Sequence, residues 1–318
     1  MAATEFAPAR FLQRVDGHAA AAAAGSTQGA ATQGQDQHQE QDWRAKPALL
    51  ILNQPVASLD LLQRLWARTG YRLCADGGAN RLYDTFAGLD DADACRVQFL
   101  PSIIHGDLDS LRDDVRAYYA GHGVPISRDP DQYSTDFGKA VKQIASATTI
   151  TTTTSTAAEA EEEEETAAAA ASSPSRSSHR EILILCTLAG RVDQGLGLLY
   201  EMLRIQNGAR SPTRLWLFSE SSVSWILPPG DNLVVVDDRS DASSLTHSNG
   251  GYFTENVGIL PAFGPATIST TGLEWDVVDW PTSVDGNVST SNHVKGEYVT
   301  VKTDAKVLFT IERADSPP

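Results

Sequence analysis

The sequence predicts an α/β protein: a doubly wound, mostly parallel sheet followed by a smaller all-β domain, a sandwich or a barrel. Three observations carry this. Between residues 48 and 218 short apolar runs alternate with segments of helical spacing. After about Ser219 the helical spacing stops, and short β-rich runs separated by Gly, Pro, Asn and Asp take over. Acidic residues recur where the apolar runs of the first part end.

Taken in order, residues 1–45 are rich in Ala, Gln, Gly and Thr without periodicity and are expected to be disordered. Ala48 to Asn53 (ALLILN) is short and apolar throughout, as a parallel strand buried on both faces should be. Leu59 to Thr69 has helical spacing, with Leu59, Leu62, Leu65 and Trp66 on one face. Arg72 to Asp76 is the next strand, followed by a helix through Leu82, Tyr83 and Phe86; Pro101 to Asp107 is a third strand. A helix opens at Asp136, with Phe137, Ala140, Val141 and Ile144 on one side. The segment 146–179 runs TTITTTTST, EAEEEEE, AAAAA and SSPSRSS. It cannot bury enough apolar surface to offset its ordering entropy and is expected to be a dispensable surface insert. Glu181 to Leu188 is the most apolar strand; a helix from Gln194 to Gln206 and a strand from Arg214 to Phe218 complete the α/β part at about residue 220. The expected β-domain, 221–318, contains SSVSWIL, NLVVVD, ATIST, EYVTVKT and KVLFTIE.

Composition narrows the function. The 318 residues carry a formal charge of −16, which argues against a nucleic-acid-binding surface. Cys74, Cys95 and Cys186 form no CxxC pair, so neither zinc nor a redox motif is signalled, and a reducing compartment is implied. Ala19 to Ala24 is too short and weakly hydrophobic for a span or a secretion signal, so the expected location is cytoplasmic, with no membrane partner. Neither a P-loop, nor G-x-G-x-x-G after the first strand, nor a G-x-S-x-G elbow occurs.

The chemistry lies in the acids. Asp76 ends the second strand, Asp107 and Asp109 end the third, Asp136 opens a helix, and Asp193 follows the most apolar strand. Ligands of open α/β sheets bind beyond the carboxyl ends of the strands, and carboxylates gathered there repel one another unless a cation sits between them. Mg²⁺, which takes hard oxygen ligands and substrate phosphates, suits them; the competing reading of DxD is a turn with capping aspartates. Asp76 to Asn80 (DGGAN) reads either as a phosphate-approaching glycine turn or as an ordinary connection. Thr135 or Ser134 suits a helix cap. Arg191 either braces phosphate or pairs with Asp193.

Together CADGGANRLYD (Cys74 to Asp84), GDLDS (Gly106 to Ser110), DQYSTDFGKAV (Asp131 to Val141), GRVDQ (Gly190 to Gln194), GLEWDV (Gly272 to Val277) and STSN (Ser289 to Asn292) resemble, in order, the signatures of eukaryotic thiamin pyrophosphokinases. Ala189 and Val192 depart mildly from that pattern; the stretch between Trp275 and Ser289, with Pro281 and Asp285, departs from the family's more apolar, glycine-containing connection, which bears on local loop shape and not on the reaction. The resemblance implies an ATP- and Mg²⁺-dependent transfer of pyrophosphate to the thiamin hydroxyl, in a homodimer with thiamin between subunits. It implies an acidic site of Asp76, Asp107, Asp109 and Asp136, with Mg²⁺ on Asp107, Asp109 and Asp136. Gln132 and Thr135 would line it, and Arg191, Asp193 and Gln194 would lie near the phosphates or the hydroxyl. Trp275, Ser289 and Asn292 would hold the thiamin rings, with Trp280 as the rival to Trp275. Asp76 and Asp193 stand as alternative proton acceptors.

Overall fold

The computed structural model describes residues 3–15, 46–149 (without 132), 180–207 (without 186 and 189), 213–236 and 251–315. The N-terminus departs from the expectation of disorder over its first described stretch. Thr4–Phe6 forms strand β1, and Pro8–Phe11 forms a single 3₁₀ turn. Phe6, Ala9, Phe11 and Leu12 are buried. The low-complexity bias of the following residues hid an apolar motif, FAPARFL, whose rings pack on Trp216, Phe218 and Trp225. Residues 16–45 lie outside the described residues, as do 150–179 of the expected insert.

The parallel half of the main sheet consists of β2 (Ala48–Ile51), β3 (Tyr71–Ala75), β4 (Ile103–Gly106), β5 (Ile126–Arg128), β6 (Arg180–Leu185) and β7 (Thr213–Phe218). Their spatial order is β7-β6-β2-β3-β4-β5, so the order reverses at β2. Successive residues of a strand face opposite sides, and both sides are covered, which is why the strands read as unbroken apolar runs. On one side Leu49, Ile51, Cys74, Ile104 and Trp216 pack on helices α1 (Leu59–Arg68), α2 (Gly78–Asp84) and α4 (Asp113–Gly121), while α3 (Ala92–Gln98) lies between the last two in sequence. On the other, Leu50, Leu73, Ile184 and Leu217 meet Phe137, Ala140, Val141 and Ile144 of α5 (Asp136–Thr149) and Leu198 and Met202 of α6 (Val192–Ile205). Helix α5 runs to Thr149, past the expected start of the insert at 146. The two short helices α3 and α4 and strand β5 are additions to the sequence reading.

The C-terminal part is β-rich, as expected, but it is not separate from the main sheet. Strands β8 (Ser222–Leu227), β15 (Val307–Arg313), β10 (Phe253–Leu260) and β13 (Ser289–His293) continue it antiparallel beyond β7, giving ten strands. The boundary expected at 220/221 falls in the β7–β8 connection, across which Leu217 is in register with Ser224. A second sheet, ordered β1-β9-β14-β11-β12, uses β9 (Gly230–Val235), β11 (Ala266–Thr271), β12 (Trp280–Thr282) and β14 (Tyr298–Thr303). Its Val234, Ile268, Val299 and Val301 share a core with Trp225, Val257, Phe309 and Ile311 of the main sheet, forming the sandwich. β1 pairs parallel with β9, so the N-terminal segment closes the edge of that second sheet.

Candidate active site

Three carboxylates meet where β3 and β4 end. Asp76, Asp107 and Asp136 each place an oxygen within 4.8 Å of the others. Asp76 has φ +42°, and its backbone amide donates to the His105 carbonyl at 3.0 Å. Its Oδ2 accepts from Ser110 N at 3.1 Å, and its buried Oδ1 has no partner. Gly106 explains how the acids come so close: its φ is +156°, and a Cβ there would stand 3.0 Å from Asp76 Cβ and 3.2 Å from Asp136 Oδ1. Asn80 holds the loop after β4 at two points, donating to Ser110 O at 2.7 Å and accepting from Arg112 N at 3.1 Å.

Burial, and then the charges of Asp107 and Asp76, push the Asp136 carboxyl above the usual range. Asp136 Oδ1, like Asp76 Oδ1, is buried without a hydrogen-bond partner. Converging hard oxygens with open lone pairs fit a divalent cation such as Mg²⁺. Asp109 does not join them: it is exposed, and its amide donates to Asp107 Oδ1 at 3.2 Å, the capping turn that DxD also suggested. In its place stands Asp76. Sequence reasoning missed Lys139, 2 % exposed, whose Nζ lies 3.5 Å from Asp107 Oδ2 and 3.6 Å from Asp136 Oδ1. The signal was its place in DFGKA, one helical turn after Asp136.

A cleft of about 340 Å³ opens beside the acids, lined by Asn53, Gln54, Thr135, Asp136, Asp193 and Gln194 among others. Thr135 Oγ1 accepts from Gly138 N at 3.1 Å, so Thr135 caps α5 as well as lining the cleft. Gln132 lies outside the described residues. Arg191 and Asp193 form the ion pair that was one of the two readings of Arg191, at 3.0 and 2.6 Å, and Arg191 holds the Asp193 carboxyl below its usual range. The glycines of DGGAN serve packing: a Cβ on Gly78 would stand 2.3 Å from Ile51 O, so only glycine lets α2 lie against β2.

The remaining candidates gather in the sandwich. Trp275, Trp280, Ser289 and Asn292 line a second cavity of about 200 Å³ with Ile268 and Val277. Both tryptophans reach it, and Trp275 is 55 % exposed. Asn292 is buried, and its amide is occupied: Oδ1 accepts from Trp275 N at 3.2 Å and His293 N at 2.8 Å, while Nδ2 donates to Trp275 O at 3.0 Å. It therefore clamps the backbone of Trp275 while still lining the cavity. The His293 ring lies 5.2 Å from that of Trp275 and is held by Glu274 at 2.6 Å.

A parallel sheet whose acids converge at its carboxyl edge, beside a cleft and without a P-loop, is a phosphoryl-transfer scaffold whose acids could hold a metal ion. Residues 62–211 match the model of the thiamin pyrophosphokinase catalytic domain, and 243–308 that of the thiamin pyrophosphokinase vitamin B1 binding domain. Thiamine pyrophosphokinase 1 of Arabidopsis thaliana is 32 % identical over 269 residues, covering 83 % of this chain and 85 % of its own. Thiamine pyrophosphokinase of Saccharomyces cerevisiae is 31 % identical over 285 residues, covering 83 % and 84 %. The crystal structure of the yeast enzyme superposes with a TM-score of 0.68 at 29 % identity, covering 85 % of this chain and 87 % of that one. The chain belongs to the thiamin pyrophosphokinase family, and it is a kinase of that activity.

Proposed function

We propose that the reaction runs across the two cavities described above, with the acidic cleft taking Mg²⁺ and ATP and the sandwich cavity taking thiamin. The observation that carries this is the convergence of Asp76, Asp107 and Asp136 within 4.8 Å. The thiamin hydroxyl oxygen attacks the β-phosphorus of ATP, the bond from that phosphorus to the bridging α–β oxygen breaks, and AMP leaves. Asp76, Asp107 and Asp136 would hold Mg²⁺, which when bound neutralises phosphate charge. Thr135 and Gln194 bound the cleft and position the nucleotide. Asp76 and Asp193 remain the two candidate acceptors of the hydroxyl proton: pairing with Arg191 weakens Asp193 as a base, as a bound cation would weaken Asp76. Trp275 offers an aromatic face to a cationic, aromatic substrate, and Ser289 lies within the same cavity.

The protein works as a homodimer in this reading. Val192, Leu196 and Tyr200 form an exposed apolar stripe along α6 beside the cleft, and Trp275, Val278 and Val284 expose apolar surface near the other cavity. A second copy covers both and brings thiamin to the phosphates. The enzyme is placed in the cytoplasm, which suits Cys95, a free cysteine. No helix among the described residues is long and apolar enough to cross a membrane.

The test is AMP formation from ATP and Mg²⁺, with and without thiamin. Thiamin-dependent AMP, abolished by EDTA and by Asp107→Asn in a folded sample, supports the reading. AMP only with another acceptor refutes the thiamin assignment, and near-normal turnover of Asp107→Asn refutes the metal assignment.

A further inference from the structure

Lys139 is a buried charged group beside the acidic triad that the reaction above does not use. Lysine is almost never fully buried unless paired, yet its side chain is 1 % exposed and its contacts to Asp107 and Asp136 are long, 3.5 and 3.6 Å. An ammonium satisfied by one carboxylate would stand nearer 2.8 Å from it, on the order of a charge-assisted hydrogen bond. Here it stands off from two at once. Its backbone is fixed, since Lys139 N donates to Thr135 O at 2.9 Å in the first turn of α5. Asp136, three residues earlier on the same helix, is therefore held at a constant offset from it.

The charges decide what this arrangement does. Three ionised carboxylates with an oxygen each within 4.8 Å of the others repel strongly, and Asp76 Oδ1 and Asp136 Oδ1 have no hydrogen bond to offset the cost. With Lys139 the cluster carries two net negative charges, the complement of one divalent ion. Without it the cluster would carry three.

We propose that Lys139 is a positioning residue, the built-in counter-charge that holds Asp107 and Asp136 together before the metal arrives and limits the free enzyme's affinity for it. The inference rests on the triad being the metal site. A pocket lacking this ammonium would bind the free ion more tightly, and the metal would then enter ahead of the nucleotide. With it, the ion binds weakly alone and is retained once polyphosphate adds its own charge.

The test is Mn²⁺ binding to full-length protein without nucleotide, read by electron paramagnetic resonance, with thermal melts with and without Mg²⁺. Lys139→Met should bind Mn²⁺ at least tenfold more tightly than wild type, because a unit charge a few ångströms from a divalent ion is worth more than that even at an effective dielectric of ~20. Its metal-free melting temperature should fall, and Mg²⁺ should raise it by more than in wild type. Lys139→Arg should keep wild-type Mn²⁺ affinity. If Lys139→Met does not fold without metal, Lys139→Met/Asp136→Asn restores the net charge and should fold; failure of this double variant would overturn the proposal. Unchanged or weaker Mn²⁺ binding by folded Lys139→Met, or a loss confined to ATP affinity, would also overturn it while leaving the metal site standing. Wild-type Mn²⁺ binding that Asp107→Asn does not diminish would overturn both.

Discussion

Asp136→Asn should stabilise the metal-free protein while destroying its activity. Two like charges 4.8 Å apart repel by about 3.5 kcal/mol at an effective dielectric of ~20, and Asp136 faces two such neighbours at or inside that distance. Lys139, at 3.6 Å, returns about 4.5 kcal/mol by the same estimate. The balance is about 2.5 kcal/mol against ionised Asp136. Its side chain is 38 % exposed, so solvent screening reduces the gain to about 1–2 kcal/mol. Asparagine keeps the shape and sheds the charge. The assay is urea unfolding in EDTA at pH 7, compared with unfolding in Mg²⁺. Asp136→Asn should unfold at higher urea than wild type in EDTA, and Mg²⁺ should stabilise it less than it stabilises wild type. The pH dependence has a definite sign. The folded carboxyl titrates above its unfolded value, so protonation favours the folded state, and that contribution is lost as pH rises through the folded pKa. The advantage of the variant should therefore be full above the raised folded pKa and vanish below the ordinary Asp value near ~4. A variant less stable than wild type in EDTA at pH 7, or equally stabilised by Mg²⁺, refutes this electrostatic account.

Gly106→Ala should cost turnover by at least about a hundredfold in a protein that still folds, since its Cβ would press on Asp76 and Asp136; steady-state kinetics beside circular dichroism checks this. Asn292→Ala should raise the thiamin KM about tenfold or more with a smaller change in kcat, because three hydrogen bonds that fix the Trp275 backbone and its neighbour disappear; equal loss in both parameters would contradict a clamping role. Phe11→Ala should destabilise the fold by about 3–5 kcal/mol in urea unfolding, as expected for a buried aromatic, because its ring packs 5.1 Å from Trp216; a shift below about 0.5 kcal/mol would show that the N-terminal segment is not part of the core.

Much of the site was legible because its parts are local. A strand that ends in Asp76 or Asp107 reads in sequence as an apolar run that stops at an acid, and Asp136 reads as the start of a helical pattern. What was not legible was the choice among the acids. Asp107 and Asp109 are equivalent in a linear string, yet the turn at Leu108, φ +68°, leaves Asp109 exposed while Asp107 joins the cluster. Nothing local marks Lys139 off from any other helical lysine; its burial follows from the packing of α5 against β3 and β4. The clamp that Asn292 puts on Trp275 was not legible either, because its partners, Trp275 N and O, are 17 residues away and meet it only through the β13 fold-back.

The same division holds for the whole chain. Periodicity determined the α/β order, the β-rich C-terminal part and the strand-end acids, because apolar spacing and strand termini depend on near neighbours in the chain. Only the tertiary structure decided that β8, β10, β13 and β15 extend the catalytic sheet, that Phe6, Phe11 and Leu12 belong to the core, and that Asp76 rather than Asp109 completes the acidic triad with Lys139 beside it. Each of these depends on pairing between residues far apart in sequence, where burial and charge are set by what packs against a group and not by what precedes it.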